Sequence, residues 1–147
     1  MKVQEVMTRN PLCVTPGDSI RDAAQLMKRH GIGIVPVVNE KRSNRLVGVV
    51  TDRDIAIRVI AEGLDGNARV SDVMSTDDIA TCAADDEVQE AMETMATEQV
   101  RRIPIVDERG SLLGIVAQAD IVRKGGDHAR AELTVQRISE PGGKHLQ

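Results

Sequence analysis

The chain of 147 residues contains the same passage twice. Val6-Met7-Thr8 opens the first copy and Val73-Met74-Ser75 the second. Ile20-Arg21-Asp22-Ala23 and Met27 match Val88-Gln89-Glu90-Ala91 and Met95, 68 positions on. Val35-Pro36-Val37-Val38 matches Ile103-Pro104-Ile105-Val106 at the same spacing. Gly48-Val49-Val50 and Asp54-Ile55 match Gly114-Ile115-Val116 and Asp120-Ile121, now 66 apart. The slip of two falls between Asn39–Arg45 and Asp107–Ser111, polar stretches that read as loops, where length changes are tolerated. A repeat of this size cannot cover its own apolar faces alone, so two copies are expected to pack on each other.

Each copy reads as β-α-β-β-α. A short strand comes first, Leu12–Val14 or Ile79–Cys82. In the first copy a turn follows at Thr15-Pro16-Gly17-Asp18, with Pro, Gly and a capping Asp; Asp85-Asp86 is the corresponding cap in the second. Ile20, Ala23, Ala24 and Met27 fall at i, i+3, i+4 and i+7, one apolar stripe of a helix that His30-Gly31 stops. Val88, Ala91, Met92 and Met95 make the equivalent stripe. Two β-branched strands are expected at Ile34–Val38 and Leu46–Val50, apolar enough for burial on both faces. The last helix runs from about Asp52 to Glu62 before Gly63, and in the second copy from about Ala119 to Lys124 before Gly125-Gly126. The fold class expected is α/β (α+β), with copies at 1–64 and 65–124. The tail, 125–147, is expected to be a short helix near 127–139 and then a loose end, broken at Pro141-Gly142-Gly143.

Composition narrows the function. Aromatic residues are absent, so no ring is available to stack on a base, and the net charge of −4 disfavours a phosphate backbone. Nucleic acid is therefore not an expected partner. No apolar run reaches membrane length and the first residues have no signal-like core, so a cytoplasmic location without membrane contact is expected. Cys13 and Cys82 form no CxxC and read as small apolar residues. His30, His128 and His145 are scattered, with no zinc spacing. The serines show no nucleophile elbow, and no phosphate-binding glycine loop occurs. Catalytic and metal residues are expected to be none.

The stretch Gly48-Val49-Val50-Thr51-Asp52-Arg53-Asp54 fits the pattern Gly-apolar-x-Thr/Ser-x-x-Asp. With Val6-Met7-Thr8, Val35-Pro36-Val37-Val38 and their echoes, it resembles the cystathionine-β-synthase (CBS) domain family in its tandem-pair form, over roughly residues 1–124. The resemblance implies two pseudo-symmetric motifs packed as one module and a cleft with two sites for adenosine ligands. It also implies a disk-shaped homodimer of such pairs. The ligand would be AMP, ADP or ATP, ahead of S-adenosylmethionine or NAD, held as a regulator and not as a required cofactor. The chain shows no catalytic or DNA-binding domain, so the signal would pass to a separate effector protein.

Residue chemistry agrees with such a ligand and leaves alternatives open. Asp54 is a short carboxylate able to accept from two ribose hydroxyls. Thr51, where a strand hands over to a helix, can donate its hydroxyl to a ribose or phosphate oxygen. Thr51 and Asp54 are equally the first and last residues of a capping box. Arg101 and Arg102 precede the second copy's central strand and suit phosphate, although successive side chains face opposite ways. They also read as solvated residues at a strand start. The resemblance puts Val49, Ile79 and Ala80 against the base; plain core is the other reading. The second site keeps Asp120, but Ala117 replaces the threonine and Gly33-Ile34 replaces the arginine pair, so it is expected to be weaker. Loss of those groups also admits a module with a degenerate, non-binding cleft that works through dimerisation.

Overall fold

The computed structural model of the chain describes residues 1–124. The expectations for 125–147, His128 and His145 included, lie outside the described residues. The elements in order are β1 (Thr8–Arg9), α1 (Ile20–His30), β2 (Ile34–Val38), β3 (Leu46–Thr51), α2 (Asp52–Asp54), α3 (Val70–Val73), α4 (Val88–Glu98), β4 (Arg102–Val106), β5 (Leu112–Ala117) and α5 (Gln118–Lys124). Helices and small sheets mix, as the α+β reading requires.

The chain divides into two compact units. Within 1–124, one holds residues Leu12–Ile79 with Gly110–Leu112. The other holds Met1–Pro11, Ala80–Arg109 and the chain from Leu113 onward. Each unit is therefore built from chain segments that are not contiguous.

In the Leu12–Ile79 unit, β2 and β3 pair antiparallel, with Val35 opposite Val50 and Val37 opposite Gly48. Ile20, Ala23 and Met27 are buried on the predicted face of α1 and pack with Val14, Val35, Val37, Val50, Val59, Val70 and Val73. Ser19 caps α1 by accepting from the Asp22 backbone N–H at 3.1 Å. The expected cap, Asp18, instead closes its own turn, accepting from the Thr15 N–H at 2.8 Å. At the other end Gly31 sits at φ +63°, the left-handed cap that lets the chain leave the helix.

The other unit repeats this logic. Val3, Val6, Met7, Ala91, Met92, Met95, Ile103, Ile105, Val116 and Ile121 share one core. Its sheet has the order β1-β5-β4, with Thr8 opposite Ile115. Helix α4 begins at Glu87, which makes no side-chain cap. Asp86 was expected to cap it, but accepts from the Ala83 N–H at 2.9 Å, the same turn that Asp18 closes.

Several boundaries differ from the sequence reading. The expected strands at Leu12–Val14 and Ile79–Cys82 shrink to single parallel bridges, Val14 with Val37 and Cys82 with Ile105. Those bridges use only one or two backbone groups on each side, too few to extend a ladder. Every residue of β2 and the central three of β4 are buried, but β3 and β5 alternate, so burial on both faces holds for β2 and β4. The helix expected over Asp52–Glu62 is one α turn, Asp52–Asp54, followed by a π-helical stretch, Ile55–Ile60. Helix α5 starts at Gln118, one residue early. Among the described residues no helix is long and apolar enough to cross a membrane.

Candidate functional site

Thr51 ends β3 and is the N-cap of α2. Its Oγ1 accepts from the Asp54 N–H at 3.0 Å, and its own N–H donates to Asp54 Oδ2, also at 3.0 Å. The capping box is thus fully made. It satisfies two backbone donors and fixes the Asp54 rotamer. One carboxylate oxygen, Oδ1, is left without a backbone partner among the bonds to Asp54. The side chain is 13% exposed, deep enough to strengthen any hydrogen bond it accepts and open enough to be reached.

Two further residues approach this carboxylate. The Ser75 hydroxyl lies 3.4 Å from both oxygens. Arg58 Nε lies 3.8 Å from Oδ1, while its Nη1 donates to the Val73 carbonyl at 3.0 Å. Ser75 arrives because its backbone pairs with Val49. The Val49 N–H donates to the Ser75 carbonyl at 3.0 Å, and the Ser75 N–H returns a bond to Val49 at 2.8 Å. The segment from Val73 to Ser75 is therefore fastened along β3 and under the Thr51–Asp54 corner. Sequence reasoning used Ser75 only as a repeat marker and passed over Arg58. The signal for Arg58 was its i+4 spacing from Asp54, the reach of one helical turn.

The remaining predicted residues divide between the units. Val49 and Ile79 share the unit of Thr51 and Asp54. Both are half-buried, which separates them from the fully buried valines of the core. Ala80, Arg101, Arg102 and Asp120 belong to the other unit. Ala80 is half-buried, Arg101 is exposed and Arg102, the first residue of β4, is half-buried. The two arginines differ in exposure, and only Arg102 lies within β4. The Arg101 carbonyl accepts from the Gln118 N–H at 2.8 Å, as the Gly33 carbonyl accepts from Asp52 at 2.9 Å.

At the second acid the local chemistry changes. Ala117 ends β5 where Thr51 ends β3, so no hydroxyl caps the helix that follows. Asp120 Oδ1 is bound by Arg123 Nη2 at 2.6 Å. Gln118 Nε2 is buried without a hydrogen-bond partner among the described residues. A groove of about 670 Å³ in the same unit, between Gln4, the Thr81–Asp86 turn and Val106–Arg109, is lined by none of the predicted site residues.

Thiol chemistry is muted in both units. Burial pushes the Cys82 thiol up to about 11, helped by the nearby Asp86 and Glu90 charges. Burial also raises Cys13, against a small opposing effect of Lys41. Among the described residues no group of three or more His, Cys, Asp or Glu side chains is placed to hold a metal ion.

The family model for the CBS domain matches twice, over residues 3–61 and 70–127. The CBS domain-containing protein YhcV of Bacillus subtilis is 43% identical over 119 residues, 81% of either chain. Hypoxic response protein 1 of Mycobacterium tuberculosis is 36% identical over 138 residues, 94% of either chain. Among solved structures, Hypoxic Response Protein I with two coordinated zinc ions matches with a TM-score of 0.75 and 36% identity, covering 84% of this chain and 98% of that one. The CBS domain pair of protein MJ0100, in complex with 5-methylthioadenosine and S-adenosyl-L-methionine, matches with a TM-score of 0.72 and 26% identity, covering 86% and 96%.

Proposed function

The chain belongs to the CBS domain family, carrying two copies of the domain, and from that premise we propose that it is a regulatory sensor of adenosine nucleotides of the AMP, ADP or ATP type. The observation that carries the reading is the Thr51–Asp54 corner. Asp54 presents a fixed, partly buried carboxylate whose Oδ1 has no backbone donor, which suits two vicinal ribose hydroxyls. The adenosine ligands bound by the MJ0100 pair support the ligand class. Val49, Ile79 and Ala80 are half-buried, as walls for a base would be. With no aromatic residue in the chain, such walls have to be aliphatic. Arg101 and Arg102 are proposed to meet the phosphate, Arg102 chiefly, because a half-buried guanidinium is less screened than an exposed one.

The protein acts in this reading without catalysis, in the cytoplasm, and as a homodimer. Ligand occupancy is passed to a separate effector protein. At a ligand concentration about 100 times the dissociation constant, binding stabilises the fold by roughly 2.7 kcal/mol.

One observation favours a second reading. The capping box gives Thr51 and Asp54 a structural task of their own, so their presence does not require a ligand. In that case the protein is an interaction module with a degenerate cleft. Calorimetry with AMP, ADP, ATP, S-adenosylmethionine and NAD, on wild type and Asp54→Ala, separates the two. The sensor reading expects binding that Asp54→Ala abolishes, and Arg102→Ala to weaken AMP more than uncharged adenosine. Absence of binding to wild type rejects it. Equal binding by Asp54→Ala rejects the site while leaving the sensor role standing.

A further inference from the structure

We infer that Arg123 holds the second acid shut, so that Asp120 is a ribose site masked by an ion pair from its own helix. The inference rests on the reading of Asp54 as a ribose acid. Asp54 and Asp120 occupy equivalent places in the repeat, and their surroundings differ in kind. Asp54 is held by the Thr51 N–H, with the Ser75 hydroxyl at 3.4 Å and Arg58 at 3.8 Å. These leave Oδ1 without a close, charged donor. Asp120 Oδ1 instead takes Arg123 Nη2 at 2.6 Å, a charge-assisted hydrogen bond at the short end of the range.

A ribose offers two neutral hydroxyls. To use Asp120 it must displace a guanidinium, exchanging a charged donor for uncharged ones. The Asp120 side chain is 20% exposed, so the carboxylate itself remains reachable. Arg123 is 67% exposed on its side chain and can leave into solvent at little cost in buried area, which makes the closure reversible. Arg123 corresponds to Ile57 in the first copy, where Arg58, one residue on, reaches Asp54 Oδ1 only at 3.8 Å, so the close pair exists in the second copy alone.

The test counts binding at the second acid alone, in an Asp54→Ala background, by calorimetry with adenosine and with AMP. Adding Arg123→Ala is expected to tighten adenosine binding about fivefold, the upper worth of a solvent-exposed ion pair. Adding Asp120→Asn to that variant is expected to remove the gain. Unchanged adenosine affinity, or AMP binding weakened by Arg123→Ala, overturns the inference, the latter by showing Arg123 to be a phosphate ligand. Wild-type chain run beside these variants keeps the two ideas apart. If wild type binds and the Arg123→Ala background gains nothing, the latch fails and the Asp54 reading stands. If wild type binds neither probe, the Asp54 reading fails, and the latch survives only if Arg123→Ala creates binding.

Discussion

A Cβ built on Gly48 would stand 2.9 Å from the carbonyl oxygen of Ser75 and 3.0 Å from Met74 Sδ. The Ser75 carbonyl cannot retreat freely, because the Val49 N–H holds it at 3.0 Å. Gly48→Ala is therefore expected to cost about 1–3 kcal/mol, as overpacking does. Gly17→Ala is the control, since nothing lies within 4 Å of its Cβ position, and about 0.5 kcal/mol or less is expected there. Urea unfolding of both variants checks this. A Gly48→Ala midpoint equal to wild type would show that the Val73–Ser75 segment is not fixed along β3.

The two long helices end at equivalent positions with different residues. Gly31 takes φ +63° after α1 and Gln99 takes φ +55° after α4. The left-handed conformation costs a side chain about 1–2 kcal/mol that glycine does not incur. Gly31→Ala should therefore destabilise by about 1 kcal/mol, and Gln99→Gly should stabilise by a smaller amount because glycine also gains freedom in the unfolded chain. Thermal unfolding gives the sign of each.

Thr51 has a structural task whatever it binds. Thr51→Ala removes the hydroxyl that caps Asp54 N–H and is expected to cost about 1 kcal/mol, while Thr51→Ser retains the cap. Denaturant unfolding measures that difference without ligand. Calorimetry with AMP on the same two variants then reads the second role. If Thr51 also donates to the ligand, Thr51→Ala loses affinity and Thr51→Ser keeps it.

The Cys82 thiol, raised from its ordinary 9.0 to about 11, is protonated at neutral pH in the folded chain. The thiolate is the reactive species, so Cys82 should resist a disulfide reagent at pH 8 until the protein unfolds. The linkage has a definite sign. The folded chain holds this proton more tightly than the unfolded one, so the contribution to stability is complete below pH 9. It is lost as the pH rises from there through about 11. Replacing Cys82 by Ser should flatten that part of the stability profile. An unchanged alkaline slope would assign the loss to other groups.

How far the sequence carried can be judged residue by residue. The stripe of α1, its Gly31 cap, the β2 and β3 strands and the doubling were all legible, because each rests on local period or fixed spacing. What escaped was non-local. Val73–Ser75 looked like the opening of the second copy, yet Ser75 pairs with Val49 of the first copy, within the same compact unit. No period announces such a pairing. Ser75 and Arg58 therefore went unread as neighbours of Asp54, although Thr51 and Asp54 were found by their match to the family pattern. The π-helical stretch after Asp54 was equally invisible, since its residues fit an α-helix as well. Asp18 and Asp86 were assigned to helix caps because Asp favours that position, but a turn three residues earlier competes for the same oxygen.

The π-helical stretch carries the last prediction. Ile57 is 45% exposed, Ile60 67% and Leu64 49%, three large apolar residues within eight positions of one another. Such residues scattered singly need no explanation, but Ile57 and Ile60 on the π-helical stretch with Leu64 just beyond it favour an apolar partner. A second copy of the chain is the partner proposed, with this face forming part of a self-complementary contact as twofold symmetry demands. Ile60→Glu would bury a charge in that contact, which no neighbouring Lys or Arg on the stretch except Arg58 could offset, and Arg58 already serves Val73 and Asp54. Light scattering coupled to gel filtration should therefore report a dimer for wild type and a monomer for Ile60→Glu at micromolar concentration. Because Ile60 is exposed within its own unit, the variant should keep the wild-type helical signal in circular dichroism. A wild-type monomer would reject the homodimer, and a dimer that survives Ile60→Glu would move the contact to another face.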